Sequence, residues 1–184
     1  MEKPIILIGG TAGTGKTSFA RNICTYFNID HRLGTGFIRE IVKSQMNHPD
    51  LQSFTFDADD PIMNLTSQSQ SLYSAVKACI KRAKLEGTSL VIEGPHLIPA
   101  LYHNDMVDIF IILAAPEKEE HFKRITGPTH LLRNITEKDF TNARLIDEFL
   151  QSESNKYNVP YLVATKNSDT LITFIQKRLD STLS

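Results

Sequence analysis

One stretch near the amino terminus, Gly10-Thr11-Ala12-Gly13-Thr14-Gly15-Lys16-Thr17, restricts what this chain can fold into more than any other. It satisfies G-x-x-x-x-G-K-[ST] in full and follows the apolar run Ile5 to Ile8, so it predicts a strand, a phosphate-cradling loop and a helix in succession. The glycines let successive backbone N–H groups turn inward towards phosphate oxygens. Lys16 would then reach the β- and γ-phosphates and the Thr17 hydroxyl would take a place on Mg²⁺, with Ser18 next to them also counted among the nucleotide-binding residues. Three glycines, a lysine and a hydroxyl at these offsets arise by chance in roughly one chain of this size in a hundred or fewer.

The flanks agree with the motif. Pro4 to Ile8 is continuously apolar, as a strand covered on both faces must be. Phe19, Ala20, Ile23, Cys24 and Phe27 fall at helical spacing, with Arg21, Asn22 and Tyr26 turned away. A helix starting at the loop directs its positive end at bound phosphate.

Further strand-like runs lie at Ile29 to Thr35, Ser89 to Ile92, Val107 to Leu113 and Val159 to Ala164, alternating with helical patterns. Ile38, Ile41 and Val42 mark a short helix, and Leu72, Val76, Cys79, Ile80 and Ala83 a longer one closed by Gly87. Thr136-Glu137 starts another that runs past Leu145, Ile146 and Phe149, and Leu171, Ile172, Ile175 and Leu179 pattern the last. The expectation is a single α/β domain over residues 1–184, a three-layer P-loop NTPase fold with a five-stranded parallel sheet and a small lid. The 184 residues, 41% of them hydrophobic, suffice for one full core.

The formal net charge of -1 supplies no basic field for nucleic acid. No apolar run approaches the roughly 20 residues needed to cross a bilayer, and the amino terminus has a strand where a signal peptide would need its apolar stretch. Cys24 and Cys79 read as buried free thiols of a reducing cytoplasm. The partners expected are a nucleoside triphosphate and a small-molecule acceptor, without nucleic acid or membrane; a homodimer is compatible with this reading.

Several residues outside the loop are candidates for chemistry. Glu93 ends the apolar run Leu90-Val91-Ile92, at the strand edge where an acid can hold Mg²⁺ or accept the proton of an attacking hydroxyl. Arg39 follows the second strand, placed either to meet an anionic acceptor or to sit on the surface beside Glu40 and Lys43. Arg124 and Arg133 lie in a basic segment, His121 to Arg133, broken at Gly127-Pro128 and read as a lid whose arginines would neutralise the transferring group. The polar stretch His48 to Pro61, with few apolar anchors, reads as an acceptor-side segment. Within it Asp60 suits a turn before Pro61, and Asp57 or Asp59 could orient a hydroxyl. His96, three residues after Glu93, could donate to an acceptor carboxylate or phosphate; the remaining histidines show no zinc spacing.

Taken together, Ile8-Gly9-Gly10 through Thr17, Ile38-Arg39-Glu40, His48-Pro49-Asp50-Leu51, Glu120 to Arg124 and above all Val91-Ile92-Glu93-Gly94-Pro95-His96-Leu97-Ile98-Pro99 resemble the kinase core of the 2-phosphoglycerate kinase family. The resemblance spans nearly the whole chain. It implies a small P-loop kinase that uses ATP and Mg²⁺ to phosphorylate a hydroxyl on a small phosphorylated acid. Where the family and its kinase relatives commonly have aspartate before the Ile-Arg step, this chain has Gly36, which leaves Glu93 or the Asp57 to Asp60 segment to orient the hydroxyl. Two alternatives remain: a nucleoside or nucleotide kinase, and a nucleotide-dependent switch without an acceptor. A guanine-reading motif is not met, since Thr165-Lys166-Asn167-Ser168-Asp169 has one residue too many.

Overall fold

The computed structural model describes residues 3–45, 51–104, 107–127, 134–163 and 169–182. Its centre is a five-stranded sheet, β1 (Ile5–Gly9), β2 (His31–Gly34), β3 (Leu90–Glu93), β4 (Ile109–Ala114) and β5 (Tyr161–Val163), in the order β2-β3-β1-β4-β5. Every pairing is parallel, so all the carboxyl ends open on one edge. All five strands lie within the runs that the sequence marks or within one residue of them.

The continuous apolarity of β1 and β3 has the cause inferred from sequence, burial on both faces. Ile5, Leu7, Leu90 and Ile92 pack with Leu72, Val76, Ile80 and Ala83 of α3 (Pro61–Glu86). Ile6, Ile8 and Val91 pack on the opposite face with Phe19, Ala20 and Ile23 of α1 (Lys16–Tyr26) and Leu171 and Ile175 of α7 (Asp169–Thr182). The period of two thus allots alternate side chains to the two helical layers. Between these come α2 (Thr35–Gln45), the one-turn α4 (Pro99–Tyr102), α5 (Lys118–Ile125) and α6 (Glu137–Tyr157), the last packing Ile146 and Leu150 on Ile112 and Val159. Among the described residues no helix is long and apolar enough to cross a membrane.

Four local expectations need correction. The helix closed by Gly87 begins at Pro61, because Asp60 caps it by accepting from the N–H groups of Ile62 and Met63 and Pro61 fits the first turn. The stretch before it is anchored after all: Leu51 and Phe56 are buried, and Asn142 of α6 donates to the carbonyls of Phe56 and Ala58. On α2 the buried residues are Thr35 and Ile38, while Ile41, expected on the apolar face, stands exposed with Phe37 one turn before it. Cys24 and Cys79 are free and half-buried rather than buried, and burial pushes both thiols up from their ordinary range.

Candidate active site

The sheet edge places the site. Glu93 closes β3 and lies in register with Ile8 of β1 and Gly34 of β2, so it stands between the strand that feeds the phosphate loop and the strand that feeds α2. A single cavity of about 990 Å³ opens here, lined on one side by Ala12, Gly13 and Gly15 to Ser18 and on the other by Arg32, Arg39 and Phe54. Glu93 and His96 lie on its wall.

The loop takes the form its glycines allow. Gly13 has φ +78°, and a Cβ there would press at 3.0 Å on the ring of His121. That ring donates from Nε2 to the Ala12 carbonyl at 2.7 Å, and Nδ1 is buried without a partner. Burial holds the imidazole below its ordinary pKa, so it stays the neutral donor the loop needs. His121 was not singled out in the sequence, because its role depends on α5 packing against a loop more than a hundred residues away. Here α1 starts with Gly15 as its N-cap and no side-chain cap, which leaves first-turn N–H groups for an anion. Lys16 is only 8% exposed; its ammonium donates to the Thr11 carbonyl and stands 3.4 Å from the Thr14 hydroxyl.

Thr17 donates its hydroxyl to Glu93 Oε1 at 3.0 Å, and Arg32 Nη1 lies 3.7 Å from the same oxygen. The two residues expected to hold Mg²⁺ therefore meet, although they lie on different strands' connections. They are hard oxygen donors, and no cluster of three His, Cys, Asp or Glu forms among the described residues. That suits Mg²⁺, which keeps several waters and takes phosphate oxygens from its substrate. Arg32 was missed: it lies on a weakly patterned strand, and only strand order shows that β2 borders Glu93.

Arg39 makes the surface pairing with Glu40 and also lies on the cavity wall. It pairs with Glu40 at 2.7 Å, donates from Nη1 to the Ser53 carbonyl at 3.0 Å and lies 5.2 Å from the centroid of Phe54, yet it still lines the cavity. Of the five guanidinium N–H groups, two bond to Glu40 and one to Ser53, so among the described residues two remain for a ligand. Arg124 also lines the cavity, bonded to Glu120 at 3.0 Å, with Nη1 within 3.7 Å of where a Cβ on Gly15 would sit.

Of the segment read as a lid, 121–133, His121 and Ile125 are fully buried in α5 against the loop, and residues 128–133 lie outside the described residues. Arg133 lies outside the described residues. Asp59 is 99% exposed and bonded to Lys138, Asp57 is exposed, and neither lines the cavity; the segment turns Phe54, Thr55 and Phe56 towards it instead. His96 reaches the wall, but Nδ1 meets the Thr35 hydroxyl at 2.8 Å and Nε2 meets Gln68 Oε1 at 3.0 Å, so neither nitrogen is left for an acceptor.

Comparison with known proteins follows the same lines. No family model matches the chain. It is 28% identical over 186 residues to a 2-phosphoglycerate kinase of Methanocaldococcus jannaschii, covering 91% of this chain and 60% of that protein. With a 2-phosphoglycerate kinase of Pyrococcus furiosus it shares 26% identity over 196 residues, 97% of this chain and 65% of that one. The chain thus spans about three fifths of the length of the curated relatives it matches. Among solved structures it resembles a shikimate kinase from Acinetobacter baumannii in complex with shikimate, with TM-score 0.60 and 12% identity over 97% of this chain and 94% of that one. A deoxyadenosine kinase from M. mycoides with bound dATP gives TM-score 0.53 and 18% identity over 96% and 99%. At such identities these two speak for the fold alone. Over nearly its whole length the chain is similar to the 2-phosphoglycerate kinase family that its motifs resemble, and it carries that similarity on a P-loop kinase fold.

Proposed function

We propose that the chain is an ATP-dependent phosphotransferase acting on a hydroxyl of a small acidic acceptor of the 2-phosphoglycerate class. The observation that carries this reading is the convergence in one cavity of the phosphate loop, Glu93, and the arginines Arg32 and Arg39 on the side away from the loop. Strand order produces it. β1 supplies the nucleotide half, β2 the acceptor half, and β3 sets Glu93 between them.

Catalysis in such a site is positioning and charge neutralisation. Lys16 exchanges the Thr11 carbonyl for phosphate oxygens, so the loop's resting bond is replaced by a stronger, charge-assisted one. Thr17 and Glu93 would hold Mg²⁺, which when bound draws charge from the β- and γ-phosphate oxygens. Arg32 and the two free N–H groups of Arg39 would receive the acceptor's anionic groups and aim its hydroxyl at the γ-phosphorus. Arg124 reaches over the loop to the transferring group. Arg124→Ala should lower kcat on the order of tenfold with ATP affinity nearly unchanged, read by steady-state kinetics beside nucleotide titration.

A second reading, a nucleoside or nucleotide kinase, draws on the aromatic wall: Phe37, 80% exposed, and Phe54 both line the acceptor half and offer faces to a base. An ATP-consumption screen decides, with 2-phosphoglycerate, other phosphorylated and unphosphorylated hydroxy acids and nucleosides as acceptors. Acid-dependent turnover supports the proposal and nucleoside-dependent turnover supports the alternative. Equal turnover without any acceptor overturns both in favour of a switch ATPase.

A further inference from the structure

His96 sits at the buried centre of a chain of hydrogen bonds whose every direction is fixed. Asn64 Nδ2 faces the carbonyls of Phe54 and Thr55 at 2.9 and 3.1 Å, so it is the donating end, and Asn64 Oδ1 accepts. Gln68 Nε2 faces that oxygen at 3.0 Å and the Ser53 carbonyl at 3.1 Å, so Gln68 Oε1 is left towards His96. An acceptor facing Nε2 requires the ring proton there. Nδ1 is then a lone pair, and the Thr35 hydroxyl must donate to it. The ring is 2% exposed, and burial together with the cations of Arg39 and Lys16 pushes its pKa down to about 3.

The two ends of this chain reach the turn after Glu93 and the contact between Arg39 and Phe54. At one end Thr35 opens α2 and packs against Gly94, whose φ of +153° leaves no room for a Cβ beside the Thr35 hydroxyl. This locks the turn that follows Glu93. At the other end the Ser53 carbonyl accepts from Gln68 and from Arg39, and the next residue, Phe54, carries the ring beneath the Arg39 guanidinium. With both nitrogens engaged and neutral, the ring has no free lone pair for a substrate proton.

We propose that His96 is a positioning residue: as the neutral Nε2–H tautomer it sets the Arg39 and Phe54 receptor for the acceptor in fixed relation to the Glu93 turn. The kinetic part of this proposal rests on the kinase reading above; its structural part does not. Long-range proton–nitrogen NMR of the free protein should find His96 in the Nε2–H form, unchanged between pH 5 and 8. An Nδ1–H ring, or one that titrates in that interval, overturns the proposal.

Solvent exchange of the Arg39 guanidinium protons, also in the free protein, should quicken about tenfold in Gln68→Leu and in His96→Leu. His96→Gln, whose amide can donate where Nε2 did, should restore slow exchange; His96→Asn, which restores only the bond from Thr35, should not. Equal exchange in all four variants, each with near-native melting, overturns the relay. With ATP and 2-phosphoglycerate, or the hydroxy acid the screen selects, Gln68→Leu should raise acceptor KM about tenfold while kcat stays within about threefold and the KM for ATP is unmoved. A uniform loss of all three constants marks a merely structural role and overturns the assignment. Absence of any acceptor-dependent turnover defeats the kinase reading, and the two NMR measurements then decide on His96 alone.

Discussion

Lys16→Ala should lose phosphoryl transfer on the order of a thousandfold while its melting temperature without ligand stays close to that of the parent chain. The ammonium is nearly buried, but its partners are the Thr11 carbonyl and the Thr14 hydroxyl of the loop it serves, not the hydrophobic core. Removing it therefore takes away the cation that meets the phosphates and little of the packing. The check is kcat/KM for ATP beside a thermal melt, with and without nucleotide. The parent should gain stability with saturating ATP, as any ligand that binds only the folded state requires, and the variant should gain less. A variant with normal melting and near-normal turnover would mean that the loop is not the phosphate site.

Glu93→Gln should reduce turnover on the order of a hundredfold or more, with ATP binding much less affected. The amide oxygen can still accept from Thr17, so the strand edge keeps its shape. What is lost is the negative charge beside the metal position and opposite Arg32, 3.7 Å away. Raising Mg²⁺ should recover part of the rate, because a weaker site fills at higher concentration. The matched controls are Asp57→Asn and Asp59→Asn, whose side chains lie outside the cavity lining and which should stay within about twofold of the parent. If either control abolishes transfer while Glu93→Gln remains active, the carboxylate that matters belongs to the segment before α3 and the assignment of Glu93 falls.

Gly36 sharpens the second expectation. A Cβ built there meets nothing within 4 Å, so the position stands open beside the cavity it lines. Among the described residues that line the cavity, Glu93 is the one carboxylate.

The phosphate loop, the five strands and Glu93 were legible in the sequence because each is written locally. Glycines at fixed offsets allow one kind of turn, continuous apolar runs require a strand covered on both faces, and an acid closing such a run must emerge at a strand end. The 2-phosphoglycerate kinase resemblance was legible for the same reason, since it rests on contiguous motifs. Tertiary structure alone decided which side chains share a wall. Arg32 joins Glu93 because β2 pairs with β3 rather than with its sequence neighbour β1, and no local signal encodes strand order. His121 grips the loop across most of the chain, and the aspartates of 57–59 turn outward because Leu51 and Phe56, both apolar, claim the interior. His96 shows the limit most plainly: the sequence places it just after the strand end that carries Glu93, but whether it serves a substrate or the protein depends on Thr35 and Gln68, distant residues that burial brings to its two nitrogens.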